Sequence, residues 1–189
     1  MGSDLSRWNR RPMILVLEGA TMVFRNFKGV EGRYNREGDR NFCVLLDDQT
    51  AEAMIRDGWN VKSLKSREGT DEPPQPYLMV AVGFKVRPPR MVLITHKGKT
   101  EVPEDLCEFF DQVDIRNVDL TIAGSEWAVN GNSGVKAYLR TMYLTVEEDP
   151  LDIKYADVKL EELPTSSGRT NDNTIEGELV RQDQYELEG

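Results

Sequence analysis

Long apolar runs, histidine and cysteine are scarce in this chain. The longest strand-like apolar run covers residues 13–17 and is bounded by Pro12 and Gly19, whereas a membrane helix needs about 18 or more apolar residues. Residues 1–11 (MGSDLSRWNRR) contain no apolar stretch of the length that a secretory signal requires. The sequence therefore predicts a cytoplasmic protein with no membrane partner.

Histidine and cysteine are too few and too scattered for the usual metal or nucleophile sites. Cys43 and Cys107 lie in the apolar contexts NFCVLL and DLCEFF, which favour buried free thiols over a disulfide. His96 is the single histidine, and its spacing from the cysteines matches no zinc site. No P-loop, GxSxG, HExxH or CxxC motif occurs. The sequence predicts no enzyme and no cofactor or metal; a metal-dependent nuclease would need a carboxylate cluster that the sequence does not place.

The negative charge of the chain belongs to one end. The net charge is -9, yet residues 1–146 have 20 Lys and Arg against 20 Asp and Glu, while residues 147–189 have 4 against 13. A neutral body followed by an acidic, weakly hydrophobic segment is typical of a module that binds polyanions and carries a competing polyanion. Few residues from 164 onward can bury apolar area, so that part is expected to be disordered.

Runs of β-branched and aromatic residues, separated by Gly, Pro and Asn, indicate an antiparallel β fold. The NGNSG sequence at residues 130–134 is a strong hairpin signal. The first two strands are expected to form one long strand bent at Gly19. The predicted strands are 13–17, 20–24, 41–46, 59–64, 77–86, 90–95, 118–129 and 135–146, and the predicted short helices are 47–57 and 104–112.

These elements predict an all-β fold with one or two short helices. The expected architecture is a small OB-like β-barrel, Greek-key and antiparallel, in which elements beyond the five OB strands are insertions. A β-sandwich remains the structural alternative. The predicted organisation is a flexible arm over residues 1–11, one domain over 12–160 and a disordered acidic tail over 161–189.

Cations and flat side chains are interleaved in the body of the chain, as binding of single-stranded nucleic acid requires. Many of them fall in the Gly-containing excursion after the second predicted strand, which can follow a nucleic-acid backbone. Trp127 fits either the core or a stacking platform. The predicted phosphate contacts are Arg25, Lys28, Arg33, Arg36, Arg40, Lys62, Lys85, Arg87, Lys136 and Arg140, and the predicted base contacts are Tyr34, Tyr138 and Trp127.

The last predicted strand shows the separation of a polar face from a core face. Lys136, Tyr138 and Arg140 have the same parity and must share one face of a strand. The opposite positions, predicted to face the core, are Val135, Ala137, Leu139 and Thr141.

Each of these features also has an ordinary structural explanation. A single Lys or Arg in a Gly-rich loop is often only solvated, and aromatic residues in alternating runs usually pack in a core. The lone His96, flanked by two lysines, is expected to be a solvated loop residue. The aromatics predicted to be buried are Phe24, Phe42, Trp59, Phe84 and Tyr143.

Two phrases of the sequence resemble a known family. RNFCVLLDDQTAEAMIRDGWNVKSLK and GVKAYLRTMYLTVEEDPLDIKYADV are similar to bacteriophage-encoded single-stranded DNA-binding proteins of the OB fold, over about residues 17–158. The resemblance implies a role in phage replication or recombination, with an acidic C-terminus that recruits partners. This chain ends Glu186-Leu187-Glu188-Gly189, without the terminal Pro-Phe of the better-known bacterial pattern, which puts recruitment of the host's usual partners in doubt.

The predicted function is therefore non-enzymatic coating of single-stranded DNA without sequence specificity. The tail would compete for the basic groove or bind replication or recombination proteins. The alternative is a phage protein-interaction module with no nucleic-acid ligand. The edge-strand signal at residues 13–17 permits a homo-oligomer without requiring one.

Overall fold

The fold was analysed in a computed structural model, which describes residues 13–65, 69, 71 and 73–161. The chain divides into two compact units, Met1–Lys154 and Tyr155–Gly189. The predicted arm 1–11 lies outside the described residues, as does the predicted tail apart from Glu161.

Nine strands and three short helices form the described part of the first unit. The elements in chain order are β1 Met13–Leu17, β2 Thr21–Asn26, β3 Arg40–Leu45, α1 Asp48–Arg56, β4 Val61–Leu64, β5 Gln75–Val82, β6 Arg90–Thr95, β7 Gly98–Glu101, a 3-10 helix Glu104–Asp111, β8 Ile115–Val129, β9 Asn132–Val146 and α2 Pro150–Lys154. The predicted mostly-β fold with few short helices is confirmed.

All nine strands belong to one unclosed, OB-like sheet in which β9 is central. The main strand order is β1-β8-β9-β5-β3-β2, while β4 pairs with β5, and β6 pairs with both β7 and β9. The long β8 lies along one edge of β9, and β5 and β6 follow each other along the opposite edge. β9 therefore joins β8 on one side to β5 and β6 on the other.

The pairing departs from the predicted all-antiparallel pattern in two places. Both β5 and β6 run parallel to β9, because the chain crosses between distant strands rather than turning back in a hairpin. The short β7, whose four residues are all exposed, was not predicted, since its sequence GKTE has no apolar alternation to signal a strand.

One face of the sheet packs into the core and the other faces outward. The inward positions of β9 are Val135, Ala137 and Leu139, which are all below 5 % exposed. The predicted inward Thr141 is instead partly exposed, because a bulge opposite Thr121 and Ile122 adds one residue to β9. After the bulge, the residues of β9 that face the core are Met142, Leu144 and Val146.

The bend predicted at Gly19 is present, but it separates two strands with different partners. β1 pairs with β8, and β2 pairs with β3 at the other end of the strand order. Gly19 has φ +60, and its N–H donates to the Asp119 carboxylate at 2.8 Å. The corner therefore requires a residue that tolerates the left-handed region.

Burial of the predicted core aromatics follows the sequence pattern with two exceptions, Phe24 and Tyr143. Tyr143 is partly exposed, because the β9 bulge places it on the outward side, where its hydroxyl accepts a hydrogen bond. Phe42 is fully buried and Trp59 is 8 % exposed, as predicted, while Phe84 packs against the edge of the core. Phe24 is 64 % exposed and has φ +50. It lies where the β2–β3 register shifts, and this irregularity turns the side chain away from the core.

Helix α1 ends in a Schellman motif, which positions the chain that follows it. Gly58 has φ +86 and donates to Ile55 O at 3.0 Å, and the Trp59 N–H donates to Met54 O at 3.0 Å. The predicted helix stop at Gly58 is confirmed. Trp59 then enters the core, and the Asn60 N–H donates to Val135 O of β9 at 3.2 Å.

The segment after β9 forms a further short helix, α2. Its Leu151 and Ile153 are exposed rather than packed. Just before it, Glu148 accepts two bonds from His96, from the backbone N–H and from ring Nδ1, each at 2.6 Å. His96 is thus paired, and its ring holds the pKa of the Glu148 carboxyl below its usual value. No helix in the described residues is long and apolar enough to cross a membrane.

Candidate nucleic-acid interface

The outward side of β5 and β9 forms a continuous surface, called here the outer face. Ala81 of β5 lies beside Tyr138 of β9, and Ala123 of β8 lies on the other side of Tyr138. Directly paired residues share a face of a sheet, so small side chains flank this tyrosine on both sides. The ring of Tyr138 is therefore partly exposed and accessible from above.

Lys136 and Tyr138 stand together at the centre of the outer face. The Lys136 Nζ lies 5.2 Å from the centroid of the Tyr138 ring, within the range of a cation–π contact. An ammonium group beside a flat ring provides a phosphate contact and a base-stacking surface at the same place. Arg140 lies at the β9 bulge just beyond them and is partly exposed.

The outer face continues across β5 towards β3 and β4. Tyr77 pairs with Lys62 of β4, and Met79 pairs with Cys43 of β3. Burial raises the pKa of the Cys43 thiol, and the nearby Lys62 ammonium opposes that shift. Lys62 therefore lies on the same face of the sheet as Tyr138.

Tyr34 belongs to the same neighbourhood, although it comes from the loop between β2 and β3. Burial raises the pKa of Tyr77, and Cys43 and Tyr34 act in the same direction, so Tyr34 is close enough to influence the Tyr77 hydroxyl electrostatically. Its own side chain is 84 % exposed. A mobile base could therefore reach it without displacing any packed group.

A tight turn presents Arg33 and Tyr34 at the tip of that loop. Gly32 and Asn35 exchange backbone hydrogen bonds of 3.0 and 3.1 Å, which leaves Arg33 and Tyr34 as the two central residues. The Arg33 guanidinium lies 5.3 Å from the Tyr34 ring centroid. The tip thus repeats the cation-and-ring pair found at Lys136 and Tyr138.

The loop is held in shape from inside by Asn35. Its side-chain amide donates to the carbonyls of Val30, Arg36 and Asp39 at 2.8–3.1 Å. Gly38 closes the base by donating to Gly29 O at 2.8 Å. The excursion is therefore an ordered, compact loop that positions Arg36 at its surface, and it differs from a simple flexible linker.

Lys85 and Arg87 lie in the exposed connection between β5 and β6. This connection starts beside Tyr138, because a Cβ added at Gly83 would lie 4.0 Å from Tyr138 Cδ1. It ends at Arg90, which pairs with Thr141 of β9. The connection thus passes along the edge of β9 next to Arg140.

Three of the predicted phosphate contacts have other partners. The Arg25 Nη1 donates to Phe110 O at 2.9 Å and to Val113 O at 2.6 Å. Arg40 pairs with Glu104 at 2.7 Å, and Lys28 lies 3.7 Å from Glu108. These partners lie in or just after the 3-10 helix, so Arg25, Arg40 and Lys28 fasten that helix to the β2–β3 region.

Towards the end of β9, the positive charge of the outer face is offset by a carboxylate. Arg90 lies 5.9 Å from the Tyr143 ring and donates to its hydroxyl at 3.2 Å. Glu101 pairs with the same guanidinium at 3.3 Å. This carboxylate offsets the charge of Arg90, which marks a boundary of the outer face.

Tyr77 and Met79 were missed as candidate contacts by the sequence reasoning. The alternation of residues 75–82 places Tyr77, Met79 and Ala81 on one side of β5, and that signal was available. The sequence contains no signal that these residues lie near Tyr138, because that proximity depends on the parallel pairing of β5 with β9. In the described residues, no three His, Cys, Asp or Glu side chains form a group that could hold a metal ion.

Comparison with known families identifies the family to which the chain belongs. The model of a family described as "phage ssDNA-binding domain" matches residues 5–188. The chain belongs to this family of phage single-stranded DNA-binding domains. As a member of the family, it binds single-stranded DNA.

Solved structures of phage proteins are similar to this chain at low sequence identity. The single-stranded DNA-binding protein from bacteriophage Enc34, in complex with ssDNA, is 11% identical with a TM-score of 0.46, and the match covers 72% of this chain and 88% of that one. The single-stranded DNA-binding protein gp2.5 of bacteriophage T7 is 10% identical with a TM-score of 0.39, covering 83% of this chain and 100% of that one. No curated protein matches the chain.

Proposed function

We propose that this phage single-stranded DNA-binding protein coats exposed strands without sequence preference and without catalysis, through the outer face. The proposed setting is phage DNA replication or recombination in the host cytoplasm, where free thiols such as the buried Cys43 and Cys107 stay reduced. The proposed contacts to phosphates and bases are Arg33, Tyr34, Arg36, Lys62, Lys85, Arg87, Lys136, Tyr138, Arg140 and the exposed Trp127 of β8.

The observation that carries this proposal is the pair formed by Lys136 and Tyr138 at the centre of the sheet. A cation 5.2 Å from a partly exposed ring binds a phosphate and stacks a base, and neither contact depends on which base is present. Arg33 and Tyr34 repeat the same combination at the loop tip. Two such pairs provide separate points at which one strand can be held.

We expect replacement of Tyr138 by alanine to weaken binding of an oligo-dT by about 1–3 kcal/mol, which is the worth of one base–aromatic stack. Tyr138→Phe should retain the affinity, because it keeps the ring and removes only the hydroxyl. Binding is measured by fluorescence anisotropy against single-stranded and duplex DNA, and the DNA is then recovered on a denaturing gel.

Equal affinities of wild type, Tyr138→Ala and Tyr138→Phe would place the DNA elsewhere on the protein. Preference for the duplex would contradict coating of single strands. Magnesium-dependent shortening of the recovered DNA would contradict the absence of catalysis. Each of these results separates one element of the proposal from the others.

We also propose that the acidic C-terminal segment competes with DNA for the outer face and binds partner proteins when DNA displaces it. The support is its charge, since residues 147–189 have 4 basic residues against 13 acidic ones. A polyanion that belongs to the same chain is present at a high effective concentration near a cationic surface of that chain.

Removal of residues 164–189 should therefore strengthen binding of oligo-dT at low salt, and the gain should disappear at high salt because the competition is electrostatic. Isothermal titration of full-length and truncated protein at both salt concentrations measures the difference. A truncated protein with unchanged affinity at low salt would reject competition and leave the binding of DNA in place.

A further inference from the structure

A cavity of about 330 Å³ opens beside the cation-and-ring pair of the outer face. Its lining comes from β5, from the β8–β9 hairpin and from the residue after the α1 cap: Asn60, Met79, Ala81, Trp127, Lys136 and Ala137. This volume is near the lower end of the range for small-ligand pockets, about 300–1,000 Å³. It suits a single planar ring system better than an extended ligand.

One wall of the cavity is a tryptophan ring held flat against the hairpin. Trp127 pairs across the hairpin with Gly134. A Cβ added at Gly134 would lie 3.2 Å from the indole Nε1 and 3.3 Å from Cε2 and Cζ2. Three ring atoms at almost the same distance mean that one face of the indole covers the glycine. The side chain is still 40 % exposed, so its other face is available for stacking.

Gly134 is a glycine because of this ring rather than because of the turn. Its φ is outside the left-handed region, in contrast to Gly131 with φ +81 in the turn itself. A Cβ at residue 134 would force the indole to shift, because a contact of 3.2–3.3 Å is tighter than an ordinary van der Waals contact. Gly134 is therefore a positioning residue for Trp127.

The remaining walls suit the edges of a base. The floor has the short Ala81 and the polarizable thioether of Met79, a group that packs well against aromatic rings. Asn60 is held in place by its backbone bond to Val135, and its amide provides both a donor and an acceptor for the polar edge of a base. Lys136 stands between this cavity and Tyr138, where it can meet the connecting phosphate.

The indole of Trp127 and the ring of Tyr138 are too far apart for the bases that lie on them to stack directly on each other. Gly134, beneath the indole, is four residues from Tyr138, or about 13 Å along a strand. Successive nucleotides of a stacked strand are about 3.4 Å apart. The bases on the two rings are therefore not adjacent in one stack, and each can lie on its own ring.

We infer that this cavity is a pocket for one splayed-out nucleobase, which stacks on the free face of Trp127 with its polar edge towards Asn60. The inference rests on the proposed function, because it assigns one nucleobase to a specific binding position within the outer face. It explains why the hairpin combines Trp127 with Gly134, a pairing that has no role in the core.

The test uses oligo-dT with the variants Trp127→Ala, Gly134→Ala and their combination. Trp127→Ala should weaken binding roughly 5- to 150-fold, the range that one base stack is worth. Gly134→Ala should weaken it by a smaller factor, and should have no further effect in the Trp127→Ala background, because glycine acts only through the ring. Circular dichroism melting of each variant verifies that it is folded.

Tryptophan fluorescence gives a second readout. Of the three tryptophans, Trp59 is 8 % and Trp127 is 40 % exposed, while Trp8 lies outside the described residues. Quenching by oligo-dT should be largely lost in Trp127→Phe, which keeps a flat ring and most of the affinity. If Trp127→Phe keeps the full quenching, the base does not stack on this residue.

The pocket and the proposed function fail in different ways. Wild-type affinity in Trp127→Ala, or an equal loss from Gly134→Ala in both backgrounds, would overturn the pocket and leave coating by the outer face intact. A wild-type protein that does not bind oligo-dT at low salt would overturn the proposed function itself.

Discussion

A tenfold rise in salt concentration is expected to weaken binding of single-stranded DNA by about 10⁵-fold. Each phosphate neutralised on a single strand contributes about 0.7 to the slope of log affinity against log salt, so seven cations predict a slope of about -5. None of these cations forms a salt bridge with another described residue. The seven are Arg33, Arg36, Lys62, Lys85, Arg87, Lys136 and Arg140.

Titration of a labelled oligo-dT at several salt concentrations measures this slope. Lys62→Gln and Lys136→Gln should each make the slope shallower by about 0.7. Lys99→Gln is the matched control, because Lys99 lies on β7, which among the described strands pairs only with β6. A slope near zero for the wild type, or an equal change in the Lys99 variant, would contradict the assignment of phosphate contacts to the outer face.

Replacement of Arg25 by alanine is expected to lower the free energy of unfolding by about 3 kcal/mol, with an unchanged salt slope of DNA binding. The partly buried guanidinium donates to one carbonyl in the 3-10 helix and one just after it, at 2.9 and 2.6 Å, and each hydrogen bond from a charged group is worth about 1.5–3 kcal/mol. For a protein of this size the loss corresponds to a fall in Tm of about 6–12 °C.

Lys28→Ala is the control for Arg25→Ala, because both cations lie in the same segment and meet the same helix. The Lys28–Glu108 pair is 3.7 Å long with both side chains more than 60% exposed, so its loss should cost at most about 1 kcal/mol. Thermal melting and the salt titration are compared for both variants. An Arg25→Ala protein with an unchanged Tm and a shallower salt slope would return Arg25 to the DNA contacts predicted from sequence.

Local features of the sequence predicted much of the fold because they act over short distances. The sequence NGNSG makes a two-residue turn in which Asn130 and Gly131 both have positive φ, and the helix stop at Gly58 follows from its freedom to adopt φ +86. The alternation of Lys136, Tyr138 and Arg140 with buried residues follows from the strand period of two. Each signal needs only its neighbours in sequence.

Residues that depend on distant partners were harder to predict. The exposure of Phe24 and the outward turn of Thr141 both follow from register irregularities, which composition does not reveal. Sequence grouped Arg25 and Arg40 with Arg33 because all lie in one short stretch. Only the packing of the 3-10 helix, more than 60 residues later, separates their roles.

The sequence alone determined that this chain has a neutral, strand-rich body with interleaved cations and rings, because composition and the period of two are properties of neighbouring residues. Which of those side chains share a surface was decided only by the tertiary structure. The parallel pairing of β5 with β9 brings Tyr77 and Lys62 onto the face that holds Lys136 and Tyr138. That pairing joins segments more than fifty residues apart, and its stability comes from burial of the inner face, which no local pattern encodes.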